Sequence, residues 1–287
     1  AIYDERADAQ QQIAAALERA KKENTRVLLQ WGFNSCHWCH LMHSTFKSDP
    51  AIRKKLSYEY EVVLVDCGSA NEQNREMAGQ YGAEVAKQGF PYLTVLDAEG
   101  RVLANQETAS LELKDEKGES VLGDRAGHDP AKLLAFLKAH EATPLDAEAV
   151  LASARTAAAA AGKSVFLHFG APWCTWCHKL DAWLERPEVA ALFAKDFVEV
   201  KIDQDRMTGA KAVYERYKKE PAGIPWFAIL DGASGAVIAT SDAPDGNIGF
   251  PAAESEIAHF VKMLESARKN LTDEEISVLK SSLQAGK

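Results

Sequence analysis

The stretch that decides the fold is Ser35-Cys-His-Trp-Cys-His-Leu-Met-His43, which packs two cysteines and three histidines into nine residues. Alone it admits two chemistries. Cys36, Cys39, His40 and His43 share a helical face at i, i+3, i+4 and i+7, and zinc or copper accepts such thiolate–imidazole sets. Four ligands along one helix close a tetrahedron poorly, however. Two cysteines three apart also make a redox pair when they open a helix. The chain itself discriminates, because Trp173-Cys-Thr-Trp-Cys-His178 repeats the two cysteines, the tryptophan and one histidine, but not the other two.

That recurrence is part of a longer one. Val27–Met42 (VLLQWGFNSCHWCHLM) aligns with Val165–Leu180 (VFLHFGAPWCTWCHKL), VVLVD ending at Asp66 with VEVKID ending at Asp203, and QGFPYLTVLD with AGIPWFAILD, placing Pro91 opposite Pro225. Three landmarks in one order mean two copies of one domain, assigned to residues 1–142 and 143–287. Each copy reads as a helix (8–22; 146–161), an unbroken apolar strand suited to burial on both faces, and a helix opened by C-x-x-C. A short helix with proline in its first turn follows, at DPAIRKKL and RPEVAALF. Then come a second strand, a helix, a hairpin turning at DAEG (97–100) or DGASG (231–235), and a closing helix (129–140; 254–268). The order predicts an α/β fold with a mixed sheet in each copy. Copy one carries a polar insertion, 107–123, expected as a hairpin or loop, and copy two ends in an extra helix opened by a Thr272–Glu275 capping box.

Composition narrows the function. The chain has 287 residues and a net charge of −9, so it has no basic excess with which to bind a nucleic acid. No apolar run approaches the roughly 18 residues of a membrane span. The start at Ala1 rather than methionine fits a processed mature form or a trimmed chain. The five cysteines are two C-x-x-C pairs plus Cys67, too sparse for a disulfide-stapled scaffold.

A cysteine at a helix N-terminus gains from unpaired backbone N–H groups and the positive end of the helix dipole, which stabilise its thiolate. The second cysteine, one turn on, can resolve a mixed disulfide. Cys36 and Cys174 are therefore the expected nucleophiles, with Cys39 and Cys177 as resolving partners.

Strand, C-x-x-C, helix and a hydrophobic-Pro pair before the next strand make both copies resemble thioredoxin-fold domains. The resemblance implies cis-prolines facing the C-x-x-C at Phe90-Pro91 and Ile224-Pro225, with these residues, Trp38 and Trp176 receiving substrate. It implies a thiol–disulfide oxidoreductase, a reductase or isomerase of protein disulfides, with no organic cofactor. Its partners would be protein thiols and disulfides and an upstream reductant or oxidant. C-x-W-C-H resembles the motif of exported bacterial thioredoxin-like proteins, implying a periplasmic location. A similar run also occurs in thioredoxin-like domains fused to helical barrels.

The departures from the family are specific. Thioredoxins bear a buried aspartate six residues before the first cysteine, where this chain has Gln30 and His168. They bear a lysine where it has Val62 and Glu199. A His168–Glu199 pair is thus expected to relay protons for Cys177, while copy one has nothing ionisable at either position. His37, inside the first motif, is expected to stabilise the Cys36 thiolate and make copy one the more oxidising site. Trp38, Trp176, Tyr92 and Trp226 are expected as an apolar rim, Trp183 as core, Asn247–Pro251 as a turn, and Cys67 as a semi-buried thiol. A metal-binding module and a redox-inactive interaction scaffold remain the rival readings.

Overall fold

The computed structural model describes residues 1–218, 220 and 222–284. The chain divides into two compact units, Ala1–Thr143 and Pro144–Lys287. In unit 1 the elements are α1 (Ala9–Glu23), β1 (Arg26–Gly32), α2 (His37–Ser48), α3 (Pro50–Glu59), β2 (Tyr60–Asp66), α4 (Gln73–Gln80), α5 (Val85–Gln88), β3 (Tyr92–Leu96), β4 (Val102–Glu107) and α6 (Pro130–Ala139). In unit 2 they are α7 (Ala147–Ala160), β5 (Ser164–Gly170), α8 (Thr175–Leu184), α9 (Pro187–Asp196), β6 (Phe197–Asp203), α10 (Ala210–Tyr217), β7 (Trp226–Asp231), β8 (Val237–Thr240), α11 (Glu254–Ala267) and α12 (Asp273–Gln284).

The two sheets have one topology, β2-β1-β3-β4 and β6-β5-β7-β8. β1 runs parallel to β2 and antiparallel to β3, and β5 stands likewise between β6 and β7. Both are thioredoxin-like folds. The central strands read as continuous apolar runs because both faces are covered. In unit 1, α1 lays Ile13, Ala16 and Ala20 against Val27, Leu29 and Trp31, while α2, α3 and α6 bury Met42, Ile52 and Leu137 on the other face with Leu28 and Leu93. In unit 2, α7 and α10 cover one face, and α8, α9, α11 and α12 enclose a phenylalanine-rich core around Phe166 and Phe260 on the other.

Sequence-local devices set the element ends. Asp8 caps α1 through its carboxylate and the Gln11 N–H at 3.0 Å, and Asn24 ends it in the left-handed region at φ 51°. Pro50 and Pro187 open α3 and α9, and the Thr272–Glu275 capping box opens α12, where the sequence places it. The Phe90–Pro91 and Ile224–Pro225 bonds are both cis, immediately before β3 and β7. The insertion folds as a hairpin-like excursion pinned by the bridges Lys114–Ser120 and Glu112–His128.

The aromatic rim needs correction. Tyr92 and Trp226 open the strands β3 and β7, whose two faces are both packed, and they are buried core residues, not surface. Trp183 is core as expected, and its indole donates to Ser282 Oγ of α12 at 2.8 Å.

Candidate functional site

Each C-x-x-C straddles a helix N-terminus, and the two cysteines are disulfide-bonded, Cys36 to Cys39 and Cys174 to Cys177. Cys36 is the N-cap of α2, and its Sγ accepts the Cys39 backbone N–H at 3.2 Å; Cys174 does the same for α8 with Cys177 at 3.1 Å. A sulfur in that place faces the unpaired N–H groups of the first turn, the environment that stabilises a thiolate. The cis-proline loop closes over the pair: Cys174 Sγ lies 3.5 Å from the Ile224 carbonyl oxygen. Phe90 packs in one cluster with Cys36, Cys39 and Trp38, and Ile224 with Cys174 and Cys177.

The histidine shared by the two motifs does not face the sulfurs. His40 Nε2 donates to the Asn34 carbonyl at 2.6 Å, and His178 Nε2 to the Pro172 carbonyl at 2.8 Å. Both tie the helix to the loop that presents the first cysteine. This removes His40 from the ligand set of the metal reading, and among the described residues no three His, Cys, Asp or Glu side chains gather as a metal-holding cluster. His37 is exposed and meets the Trp38 ring edge-on, with centroids 6.4 Å apart.

In unit 2, His168 is buried and its Nε2 donates to Glu199 Oε1 at 3.0 Å, the pair read from the sequence. The structure adds two members. Asp181, on α8 one turn beyond Cys177, lies with Oδ1 3.9 Å from His168 Nδ1 and accepts from Lys201 Nζ at 2.7 Å. Lys201 runs beside the resolving cysteine: a β-carbon on Gly170 would stand 3.3 Å from Cys177 Cβ and 3.6 Å from Lys201 Cε. Glu199 is partly exposed, so the four groups link solvent to the neighbourhood of Cys177. Alternation along β6 places Lys201 on the Glu199 face, whereas no motif marks Asp181, whose counterpart in copy one is His43.

Unit 1 has Gln30, Val62 and Leu64 at the positions of His168, Glu199 and Lys201. The space beside Cys39 is filled instead by Tyr3, from the segment before α1. A β-carbon on Gly32 would lie 2.7 Å from Cys39 Sγ and clash with the Tyr3 hydroxyl, so both atoms border the same point. Tyr3 is buried, and Gln30 Nε2 donates to its Oη at 2.7 Å. Burial drives the phenol's pKa well above its usual value. No periodicity marks Tyr3; only the missing acid at Gln30 signals that something else must stand there.

Cys67 is fully buried, not semi-buried, because its strand end is covered by Gly32, whose carbonyl accepts the Cys67 N–H at 2.6 Å. Burial, with the adjacent Asp66 carboxylate, pushes its thiol up to about 12. His128, just beyond the insertion and bridged to its Glu112, is buried edge-on to Trp38 with centroids 5.6 Å apart, and burial lowers its pKa to about 4.

On the substrate side, Trp38 and Phe90 are half-buried, Pro91 and Pro225 buried, and Ile224 half-buried. Trp176 is 49% exposed and stacks on Phe250 of the 247–251 turn, with Lys179 Nζ 4.1 Å above its ring. Trp176, Ile224, Pro225, Asn247 and Phe250 line an open groove of about 730 Å³.

Fold and site together define a class: two thioredoxin-like domains, each with a disulfide-bonded cysteine pair at a helix N-terminus opposite a cis-proline. Comparison with known proteins gives the same family. Residues 146–232 match the family described as "Thioredoxin-like", and residues 3–115 match Thioredox_DsbH, described as "Protein of unknown function, DUF255". Each half of the chain thus matches one of these family models, and each has the thioredoxin-like fold.

A curated relative, spermatogenesis-associated protein 20 of Mus musculus, is 37% identical over 51 residues, which are 18% of this chain and 6% of that protein. The human protein of the same name matches to the same extent. The chain thus spans a small fraction of the length of these relatives. Similar solved structures include a disulphide isomerase from Xylella fastidiosa (23% identity, 48% of this chain and 95% of that one, TM-score 0.39). Another is the C-terminal domain of DsbD from Neisseria meningitidis in its oxidised form (15% identity, 49% and 100%, TM-score 0.33).

Proposed function

We propose that the protein is a thiol–disulfide oxidoreductase that reduces or isomerises disulfides of polypeptide substrates at two sites. The observation that carries this reading is the pairing, in each unit, of a helix-capping sulfur with the cis-proline loop. In the reduced protein the Cys36 or Cys174 thiolate attacks one sulfur of a substrate disulfide. A mixed disulfide forms, and the other substrate sulfur leaves as a thiolate that takes up a proton. Cys39 or Cys177 then attacks the mixed disulfide, closes the C-x-x-C disulfide and releases the second substrate thiol. Two electrons have passed to the substrate, and a dithiol reductant must restore the site. In isomerisation the C-x-x-C does not close; the first substrate thiolate instead attacks another substrate disulfide while the mixed disulfide is held. A substrate thiolate then displaces Cys36 or Cys174, with no net transfer.

The chemistry needs no organic cofactor, since the electrons reside in the paired sulfurs. Trp38, Phe90 and Pro91 in unit 1, and Trp176, Ile224 and Pro225 in unit 2, receive an extended polypeptide. The half-apolar groove at Trp176 supports that role. His37 tunes Cys36, and Glu199 and His168, with Asp181 and Lys201, carry the proton for Cys177. An oxidising compartment outside the cytoplasm, such as a bacterial periplasm, fits this chemistry, since substrate disulfides persist there.

Insulin reduction by dithiothreitol tests the reading. The Cys36→Ser and Cys174→Ser variants should each lower the rate, and the double variant should fall to the uncatalysed rate. Reactivation of scrambled ribonuclease by the parent assigns isomerase rather than reductase activity. A double variant as fast as the parent would overturn the proposal.

A further inference from the structure

We propose that Tyr3 completes the first redox site, its hydroxyl serving as the hydrogen-bond donor to the Cys39 sulfur when the disulfide is open. The inference rests on the exchange chemistry proposed for that site and assigns the group that assists its resolving cysteine.

Gln30, Val62 and Leu64 supply no proton-handling group, whereas the equivalent positions of unit 2 carry His168, Glu199 and Lys201. A resolving thiol in an apolar pocket ionises poorly unless something stabilises its charged form. The pocket around Cys39 is apolar: Ile2, Phe33, Trp38, Leu64 and Phe90 surround it, and Cys39 is wholly buried.

Tyr3 is the polar group in that cluster. Its Oη and Cys39 Sγ both border the space above Gly32, as Lys201 Cε and Cys177 Sγ border that above Gly170. The two glycines hold the same position in β1 and β5, so one cavity beside the resolving sulfur is filled by a phenol in one unit and a lysine in the other. Gln30 Nε2 donates to the Tyr3 oxygen at 2.7 Å, which occupies that oxygen as an acceptor and leaves its proton for the sulfur.

The phenol is held there by design of the N-terminal segment. Asn34, two residues before Cys36, accepts the backbone N–H groups of Ile2 and Tyr3 at 2.9 and 3.0 Å, and its Nδ2 donates to the Tyr3 carbonyl at 3.0 Å and to Glu5 Oε1 at 2.7 Å. Asn71 adds a donor to the Glu5 carbonyl at 2.8 Å. One side chain of the active-site loop therefore straps residues 2–5 over the site.

In the resolving step, Cys39 loses its proton to solvent and attacks Cys36 Sγ of the mixed disulfide. The Cys36–substrate bond breaks, the Cys36–Cys39 bond forms, and the substrate sulfur departs with the electron pair and gains a proton. Tyr3 keeps its own proton throughout; its hydrogen bond stabilises the Cys39 thiolate that precedes attack. The other ionisable groups near this point are Cys36 and His40 on α2, Asp66 and Cys67 at the end of β2, and Arg75 on α4. Asp66 disfavours an anion, Cys67 stays protonated, Arg75 Nε donates to the Cys67 carbonyl and His40 to Asn34.

The test uses the full chain with Cys174→Ser and Cys177→Ser, so that site 1 alone reacts. Reduced protein is mixed with glutathione disulfide, and closure of the Cys36–glutathione adduct is followed by stopped flow from pH 5 to 10. Tyr3→Phe keeps the ring and its packing and removes only the hydroxyl. We expect its resolution rate at pH 7 to fall about tenfold and its profile to move about one pH unit to higher pH, as loss of a hydrogen bond to a charged group requires. Asn34→Ala, which frees the strap and leaves the phenol intact, should move the profile the same way. Superimposable profiles for the parent and Tyr3→Phe, with unchanged melting temperatures, would overturn the assignment. A parent that forms no adduct, or forms one that never resolves, would instead refute the exchange chemistry itself.

Discussion

At the residue scale the two sites share their sulfurs and differ in what surrounds them. The cysteines, the prolines and the His168–Glu199 pair were legible because each occupies a fixed place in a motif that occurs twice. The shared histidine was legible as a residue but not in its role, since only coordinates reveal that His40 and His178 bond backbone carbonyls. Tyr3 was illegible: its partner glycine is 29 positions away and nothing periodic connects them. For unit 2 the network predicts a simple substitution effect. His168→Gln breaks the link between solvent-facing Glu199 and Asp181 while preserving size. Resolution by Cys177 at pH 7 should slow about tenfold and its pH profile should shift, one pKa unit's worth. Stopped-flow closure of a Cys174–glutathione adduct checks this in a chain carrying Cys36→Ser and Cys39→Ser, and an unchanged profile would leave His168 as a core residue only.

At the element scale, the helix opened by C-x-x-C is only as well placed as the layer behind it. In unit 2 that layer includes α12, which the sequence marks by its capping box, and the α11–α12 connection, which it does not mark. Asp196, at the end of α9, is buried and accepts the backbone N–H groups of Lys269, Asn270 and Leu271 at 2.8 to 3.0 Å. Burial alone would raise its pKa, but those three donors hold the carboxyl below the usual range. The folded value is therefore below the unfolded one. The stabilisation is complete above the unfolded pKa near 4 and is lost as pH falls through the folded value. Asp196→Ala leaves three N–H groups without their acceptor and should destabilise unit 2 by about 3 kcal/mol at neutral pH. Urea unfolding should show that difference at pH 7 and a smaller one near pH 3. A constant difference at both values would contradict the account.

At the scale of the whole molecule, one fold is used twice with different proton chemistry beside the resolving cysteine: a phenol and an amide in unit 1, a carboxylate–imidazole–carboxylate–lysine network in unit 2. The duplicated topology was legible because buried central strands leave unbroken apolar runs, and the hairpin turns and helix-opening prolines recur between them. The insertion was legible as a polar run with no counterpart in copy two, but the roles of His128 just beyond it and of Tyr3 in the strap were not, because neither has a counterpart to align with. Both lie in unit 1, the copy without an ionic network beside its resolving cysteine.

The central claim is that both cysteine pairs exchange disulfides through their first sulfur. Its most direct measurement is trapping in the Cys39→Ser/Cys177→Ser variant, where the second step of each site is removed. After incubation with a disulfide-containing polypeptide and non-reducing mass analysis, the account predicts adducts at both Cys36 and Cys174, cleared by dithiothreitol and lost from either position when its first cysteine is also replaced. Adducts at neither cysteine, or at Cys67 alone, would contradict it.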